Sequence, residues 1–179
     1  MKKTLTFLGL AVAMIIFTGC EKITEQSFNV QIAKDFNINM EEGTASFNLE
    51  EVFSSLSSEE LDQVKESIIN YRINSISYKI WEFGGSETAT LDGLLKFAKV
   101  NDDNDFVAYE IPEILLSATS NDDARNTIEF SAEDNQKIVG YLLDGNSIKV
   151  LANGNVSEQP ASFVLQVVAD VTATAEIEE

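Results

Sequence analysis

The chain has one cysteine, Cys20, and no histidine among its 179 residues. A thiolate is the strongest nucleophile among ordinary side chains and the natural acceptor for alkylation, so Cys20 is where covalent chemistry stands out. The missing imidazole removes Ser-His-Asp and Cys-His catalysis, imidazole proton shuttling and His-based zinc sites. Acid–base chemistry is left to carboxylates, 30 of them against 12 Lys and Arg. A hydrolase built on a carboxylate pair is therefore admitted by composition, although no two are marked out. Within Asn101-Asp102-Asp103-Asn104-Asp105, the residues Asn101, Asp103 and Asp105 are candidate metal ligands. Oxygens at i, i+2 and i+4 can wrap a calcium ion. Phe106 stands where an EF-hand needs glycine and Pro112 where a bidentate Glu would close it, so the stretch reads rather as a solvated turn. Calcium is the one cofactor the pattern admits. Trp81, the only tryptophan, is the candidate ligand-binding side chain, because an aromatic face can stack on a sugar.

The thiol is positioned by the segment before it. Lys2 and Lys3 give a basic start, Leu5 to Phe17 an apolar run, and Thr18-Gly19 a small-residue end. That is the layout of an export signal, and the run is too short to span a bilayer, which takes about 20 apolar residues. Phe17-Thr18-Gly19-Cys20 resembles the lipobox of bacterial lipoproteins: Gly19 and Cys20 match, while Phe17 and Thr18 replace the usual Leu and Ala or Ser. The resemblance implies cleavage before Cys20 and acylation of its sulfur and new N-terminus. Several buried acyl chains, at about 0.8 kcal/mol per CH₂, give durable anchoring. Residues 1–19 are thus expected to be a signal peptide and 20–27 the lipidated cysteine with a tether. The tether's seven residues reach about 25 Å at most. Residues 28–179 are the expected domain.

Cleavage removes two lysines and no acid, taking the formal charge from −18 to −20. Such a surface repels phosphate backbones, which excludes nucleic acid as a partner, and it repels anionic headgroups, so membrane attachment must come from the lipid. With Cys20 used for the anchor, no disulfide can form inside the domain.

Beyond Phe28 the apolar pattern has period two. Phe28, Val30 and Ile32, then Phe36, Ile38 and Met40, share one face, and Phe47 and Leu49 follow after the turn Glu41-Glu42-Gly43. Tyr71 to Phe83 and Thr88 to Val100 read as strands around Gly84-Gly85-Ser86, and Phe106–Ile111, Asn126–Ser131 and Ser147–Leu151 as further ones. Asn153-Gly154 reads as a tight turn. From Phe163 to Ala175 the apolar residues fall on odd positions, with Val164 and Val168 as exceptions. Two helices interrupt the strands. Ser57 with Glu60 forms a capping box for a helix over 57–70, and Ser131 caps a second to Leu143, with Gly145 available for its left-handed end. About eight strands and two short crossover helices predict a mainly β protein: an antiparallel two-sheet β-sandwich of the Ig-like kind.

In its lipobox, its Ile76–Phe83 strand and its Ser147–Val156 segment leading through Pro160 to the last strand, the chain resembles small Bacteroidota cell-envelope lipoproteins. These carry an immunoglobulin- or transthyretin-like sandwich. The resemblance implies a lipid-anchored protein of the bacterial envelope, at the outer membrane, with no catalytic role. The expected function is an interaction or structural module whose partner is an envelope protein or a glycan. The alternative is a lipoprotein that binds a small ligand, whether glycan, lipid or calcium.

Overall fold

The computed structural model describes residues 23–57, 59–120 and 125–178. The expected signal peptide, Cys20 and the Asn121-Asp122-Asp123 loop lie outside the described residues. Two four-stranded antiparallel sheets face each other. The first contains β1 (Ile23–Met40), β8 (Ala161–Glu178), β3 (Ile68–Gly84) and β6 (Asn126–Ile128), in that spatial order. The second contains β2 (Ser46–Ser54), β7 (Ser147–Val156), β4 (Thr90–Lys99) and β5 (Asp102–Leu115). Helices are minor: α1 (Glu59–Gln63), α2 (Leu116–Ser120) and α3 (Ala132–Gly145).

The two-sheet antiparallel sandwich of eight strands is as expected. Its connectivity is of the jelly-roll kind, with β8 between β1 and β3 and β7 between β2 and β4. An immunoglobulin domain instead keeps strands A, B, E and D in one sheet.

Alternation explains the core. The odd residues of β8 from Phe163 to Ala175 are all buried, as are Val30, Ile32, Phe36, Ile38 and Met40 on the even side of β1. The second sheet contributes Phe53, Leu91, Leu95, Phe97, Ile148 and Val150. Phe97 and Tyr109 meet Phe130 edge to face at 5.3 and 6.4 Å, which wedges the chain after β6 into this core. Val164 and Val168 are buried on the opposite face, because β8 is paired on both sides and its neighbours' side chains close over it.

Several local expectations are corrected. The helix over 57–70 is only α1, five residues long, with a 3₁₀ turn at Lys65–Ser67, and Ile68 already pairs with Ala175 in β3. A helix so short has no stability of its own, and β-branched Ile68 and Ile69 suit the sheet. Leu61 still serves the core, fully buried. At the end of α3 the left-handed residue is Asn146 (φ 53°, ψ 20°), one beyond Gly145. Asn146 is held there by three contacts: its Oδ1 accepts from Tyr71 Oη at 2.7 Å, and its carbonyl oxygen accepts from Ser55 N at 2.9 Å and Ser55 Oγ at 3.0 Å. Asn153-Gly154 is not a turn but the middle of β7. Gly154 pairs with both Phe47 and Gly93, and a Cβ there would lie 2.7 Å from the Phe47 ring and 2.9 Å from the Asp92 carbonyl oxygen. Glycine is thus demanded by a neighbouring ring rather than by a bend. The stretch expected as a tether up to Ser27 belongs from Ile23 onward to β1, paired residue by residue with the end of β8. Pro112 is accommodated inside β5, an edge strand where its missing N–H breaks no ladder.

Gly154→Ala is expected to destabilise the fold by about 1–3 kcal/mol through overpacking, and Phe47→Ala in the same chain to recover part of that loss; urea unfolding midpoints measure both. Tyr71→Phe should cost about 1–3 kcal/mol by leaving Asn146 Oδ1 and Ser55 Oγ short of a partner, read the same way.

Candidate functional site

The register of the first sheet lays three polar rows on its outer face, through Thr172, Asp170 and Gln166, the last set apart from the others by the Ala33–Val168–Ser77 row. The even residues of β8 face outward, opposite the odd residues of β1 and the outward residues of β3. Asp170 accepts from Gln31 Nε2 and from Ser75 Oγ, both at 2.8 Å. One row along, Thr172 Oγ1 donates to Asn29 Oδ1 at 2.8 Å and accepts from Asn74 Nδ2 at 3.0 Å. Arg72 Nε extends that row to Asn74 Oδ1 at 3.1 Å. In the other direction Gln166 Nε2 donates to Asp35 Oδ1 at 2.8 Å, while Arg125 donates to Gln166 Oε1 at 2.8 Å. Strands about 4.8 Å apart set the pitch of this lattice, and mutual hydrogen bonds fix its rotamers in advance of any contact.

Trp81 stands at the end of the same face. It is half-buried, opposite Val164, one row beyond the Lys79–Gln166 pair. Just past it the ladder slips between Trp81 and Gly84, and Glu82 sits at φ +54°. A bulge of this kind bends the strand and re-aims the adjacent side chain, and a left-handed non-glycine residue there stores a little strain. The result is an amphipathic ring at the rim of a planar array of amides, hydroxyls, carboxylates and two guanidinium groups.

The candidate metal ligands fall at the β4–β5 turn and along β5. Asn101 lies in the turn between β4 and β5, and Asp103 and Asp105 in β5 itself, so the expected acidic loop is mostly strand. Asp105 is ion-paired with Lys137 of α3 at 2.5 Å. Hydrogen bonding from Lys137 holds the Asp105 carboxyl below its ordinary value, and the reciprocal bond holds Lys137 above its own. Lys99, from the other side of the turn, pairs with Asp144. Among the described residues no group of three or more Asp, Glu or Cys is arranged to hold a metal ion.

Asp105 and Glu158 are both held low, Glu158 by the hydroxyls of Ser86 and Thr88, the opposite of what proton donation requires. Burial raises Tyr71, and burial together with Tyr109 pushes Tyr78 up to about 12, which leaves both as neutral core hydroxyls at physiological pH. On the second sheet Asp92 and Glu110 flank a shallow trough beside Phe47 and Gly154, where Asn155 Nδ2 donates to Asp92 at 3.1 Å.

Sequence reasoning singled out Trp81 but missed its neighbours. Gln31, Asp35, Gln166 and Asp170 look like ordinary solvent-side residues of separate strands. Their alternation is visible in the sequence, yet only the pairing of β1 with β8 makes them one surface.

No family model and no curated protein matches the chain. Similar solved structures include Desmodium yellow mottle tymovirus, with 10% identity, a TM-score of 0.43 and coverage of 100% of this chain and 92% of that one. The capsid protein of decameric BFDV gives 10% identity and a TM-score of 0.41 over 83% of this chain and 99% of that one. The nodavirus of the giant freshwater prawn Macrobrachium rosenbergii gives 8% and 0.39 over 99% and 95%. Likenesses this weak bear on neither ancestry nor function.

The Asp105–Lys137 pair sets a pH dependence. A lowered carboxyl lends stability that is complete above the ordinary carboxylate pKa of about 4 and is lost as pH falls through its folded value. A raised lysine lends stability that is complete below about 10.4 and is lost as pH rises through its folded value. The stability difference between wild type and Asp105→Asn should therefore be level across neutral pH and shrink at both limbs; for an exposed pair it will be small. Millimolar calcium should leave the melting temperature unchanged, and a rise would restore the cation site, since a ligand bound only by the native state stabilises it.

Proposed function

We propose that this chain is a lipid-anchored module of the bacterial envelope, at the outer membrane, that acts by binding rather than by catalysis. Its contact surface is the outer face of the β1–β8–β3–β6 sheet. The observation that carries the reading is the set of three hydrogen-bonded polar rows through Thr172, Asp170 and Gln166, with Trp81 one row beyond the last. Side chains already locked by one another lose little rotamer freedom when a partner arrives, which favours recognition. The lipobox supports the anchor, through Cys20. No helix among the described residues is long and apolar enough to cross a membrane, so the acyl group would be the means of attachment. Two experiments test this. Cells fed a clickable palmitate should label the chain, and Cys20→Ala should abolish the label. Crosslinking in intact cells followed by mass spectrometry should place crosslinks at Lys79 on the binding face, and a Trp81→Ala, Asp170→Ala variant should lose them while folding normally.

A second reading, a neutral glycan as the ligand, is favoured by Trp81 beside amides and carboxylates, since such groups hydrogen-bond vicinal hydroxyls while the ring covers the apolar face of a sugar. Because Trp81 is the only tryptophan, its intrinsic emission reports directly. Saturable spectral shifts with envelope oligosaccharides would establish the glycan reading, and flat titrations would leave the protein partner.

A further inference from the structure

Large aliphatic side chains in this sandwich point inward with few exceptions, and two of the most exposed exceptions lie together. Ile23 is 60% exposed and Ile69 44%. Ile23 is the first residue of β1, opposite Glu178 at the end of β8, and Ile69 sits beside the start of β3, opposite Ala175 and Thr174. With half-buried Val64 and Ile177 they line one open depression at this end of the molecule. Ile69 is there by construction of the backbone: the β3–β8 ladder slips between Ile68 and Asn70, leaving Ile69 as the unpaired bulge residue, and bulges turn side chains out of the ladder. Acidic Glu66 and Glu176 rim the depression.

This end is also where the chain leaves Cys20. Only Glu21 and Lys22 separate that cysteine from Ile23, and three residue steps reach about 10 Å at full extension. An acyl group on Cys20 would therefore hold a lipid leaflet within about 10 Å of the exposed isoleucines. We infer that the Ile23–Val64–Ile69–Ile177 end of the sandwich is a membrane foot, seated on a leaflet of zwitterionic lipid. The inference rests on the lipid anchor proposed above. Zwitterionic headgroups are specified by charge: the glutamate rim and the chain's net charge of −18 oppose an anionic surface. A seated foot stands β1, β8 and β3 away from the leaflet. Trp81, twelve residues along β3 from Ile69, is then held about 40 Å off the surface, with the binding sheet upright.

The test uses the mature chain, Cys20 to Glu179, coupled through its thiol to maleimide-bearing phosphatidylethanolamine in phosphatidylcholine vesicles, with and without brominated acyl chains. Wild type carries its one tryptophan at position 81, far from the foot. Ile69→Trp in a Trp81→Phe background moves it into the foot. Loss of emission on brominated vesicles for the Ile69→Trp chain, with none for wild type, is the expected result. Equal emission with both lipids at position 69, or equal quenching at position 81, overturns the foot. Should Ile69→Trp fail to fold by circular dichroism, Ile23→Trp in the same background gives the same readout. If lipid-free protein sediments as a dimer that Ile69→Glu dissociates, the patch belongs to a second copy and the proposal is overturned. Chemical coupling supplies the lipid, so the outcome is independent of whether cells acylate Cys20, which palmitate labelling decides.

Discussion

β8 lies between β1 and β3 and is hydrogen-bonded along both edges. This double pairing is the constraint on which the rest of the molecule depends. It buries one face of the strand in the sandwich core through Phe163, Leu165, Val167 and Val171. The alanines at 169, 173 and 175 leave room near the far end of the strand, where Tyr71 pairs with Ala173 and joins Ser55 and Asn146. The same pairing decides what the outer face can be, because a strand with neighbours on both sides presents a surface three strands wide.

The outer face and the end that exposes Ile23 and Ile69 follow from that arrangement. Polar residues spread over β1, β8 and β3 line up in rows because each of these β8 residues has a fixed partner on either side. The ladder with β1 runs through eighteen consecutive pairs without a slip, whereas the ladder with β3 slips three times. The slips have separate consequences: the first turns Ile69 outward, and the last turns the chain just after Trp81. A regular edge and an irregular one on the same strand thus separate the Trp81 rim from an apolar end.

Charge plays a supporting part. The lysines near α3 are engaged with acids, Lys137 with Asp105 and Lys99 with Asp144, which tie the helix to the β4–β5 hairpin. Asp105, read in one dimension as a candidate cation ligand, meets a lysine of α3 in three. No local rule could have shown this, since Lys137 is thirty-two residues from Asp105.

Much of the fold is legible in the order of residues alone. Period-two burial in β1 and β8, the Ser131 cap of α3 and the all-antiparallel class are local properties: a side chain's face follows from its place in the strand, and a cap from its own hydroxyl. The sequence by itself also determined the absence of imidazole chemistry, since the chain has no histidine. Only the tertiary structure decided the jelly-roll order, the strand fate of Ile68 and Gly154, and the placing of Gln31, Asp35, Gln166 and Asp170 on the same sheet face as Trp81. Those outcomes depend on which strands lie side by side, and pairing between residues more than a hundred positions apart is selected by the packing of the whole core, so no window of sequence contains it.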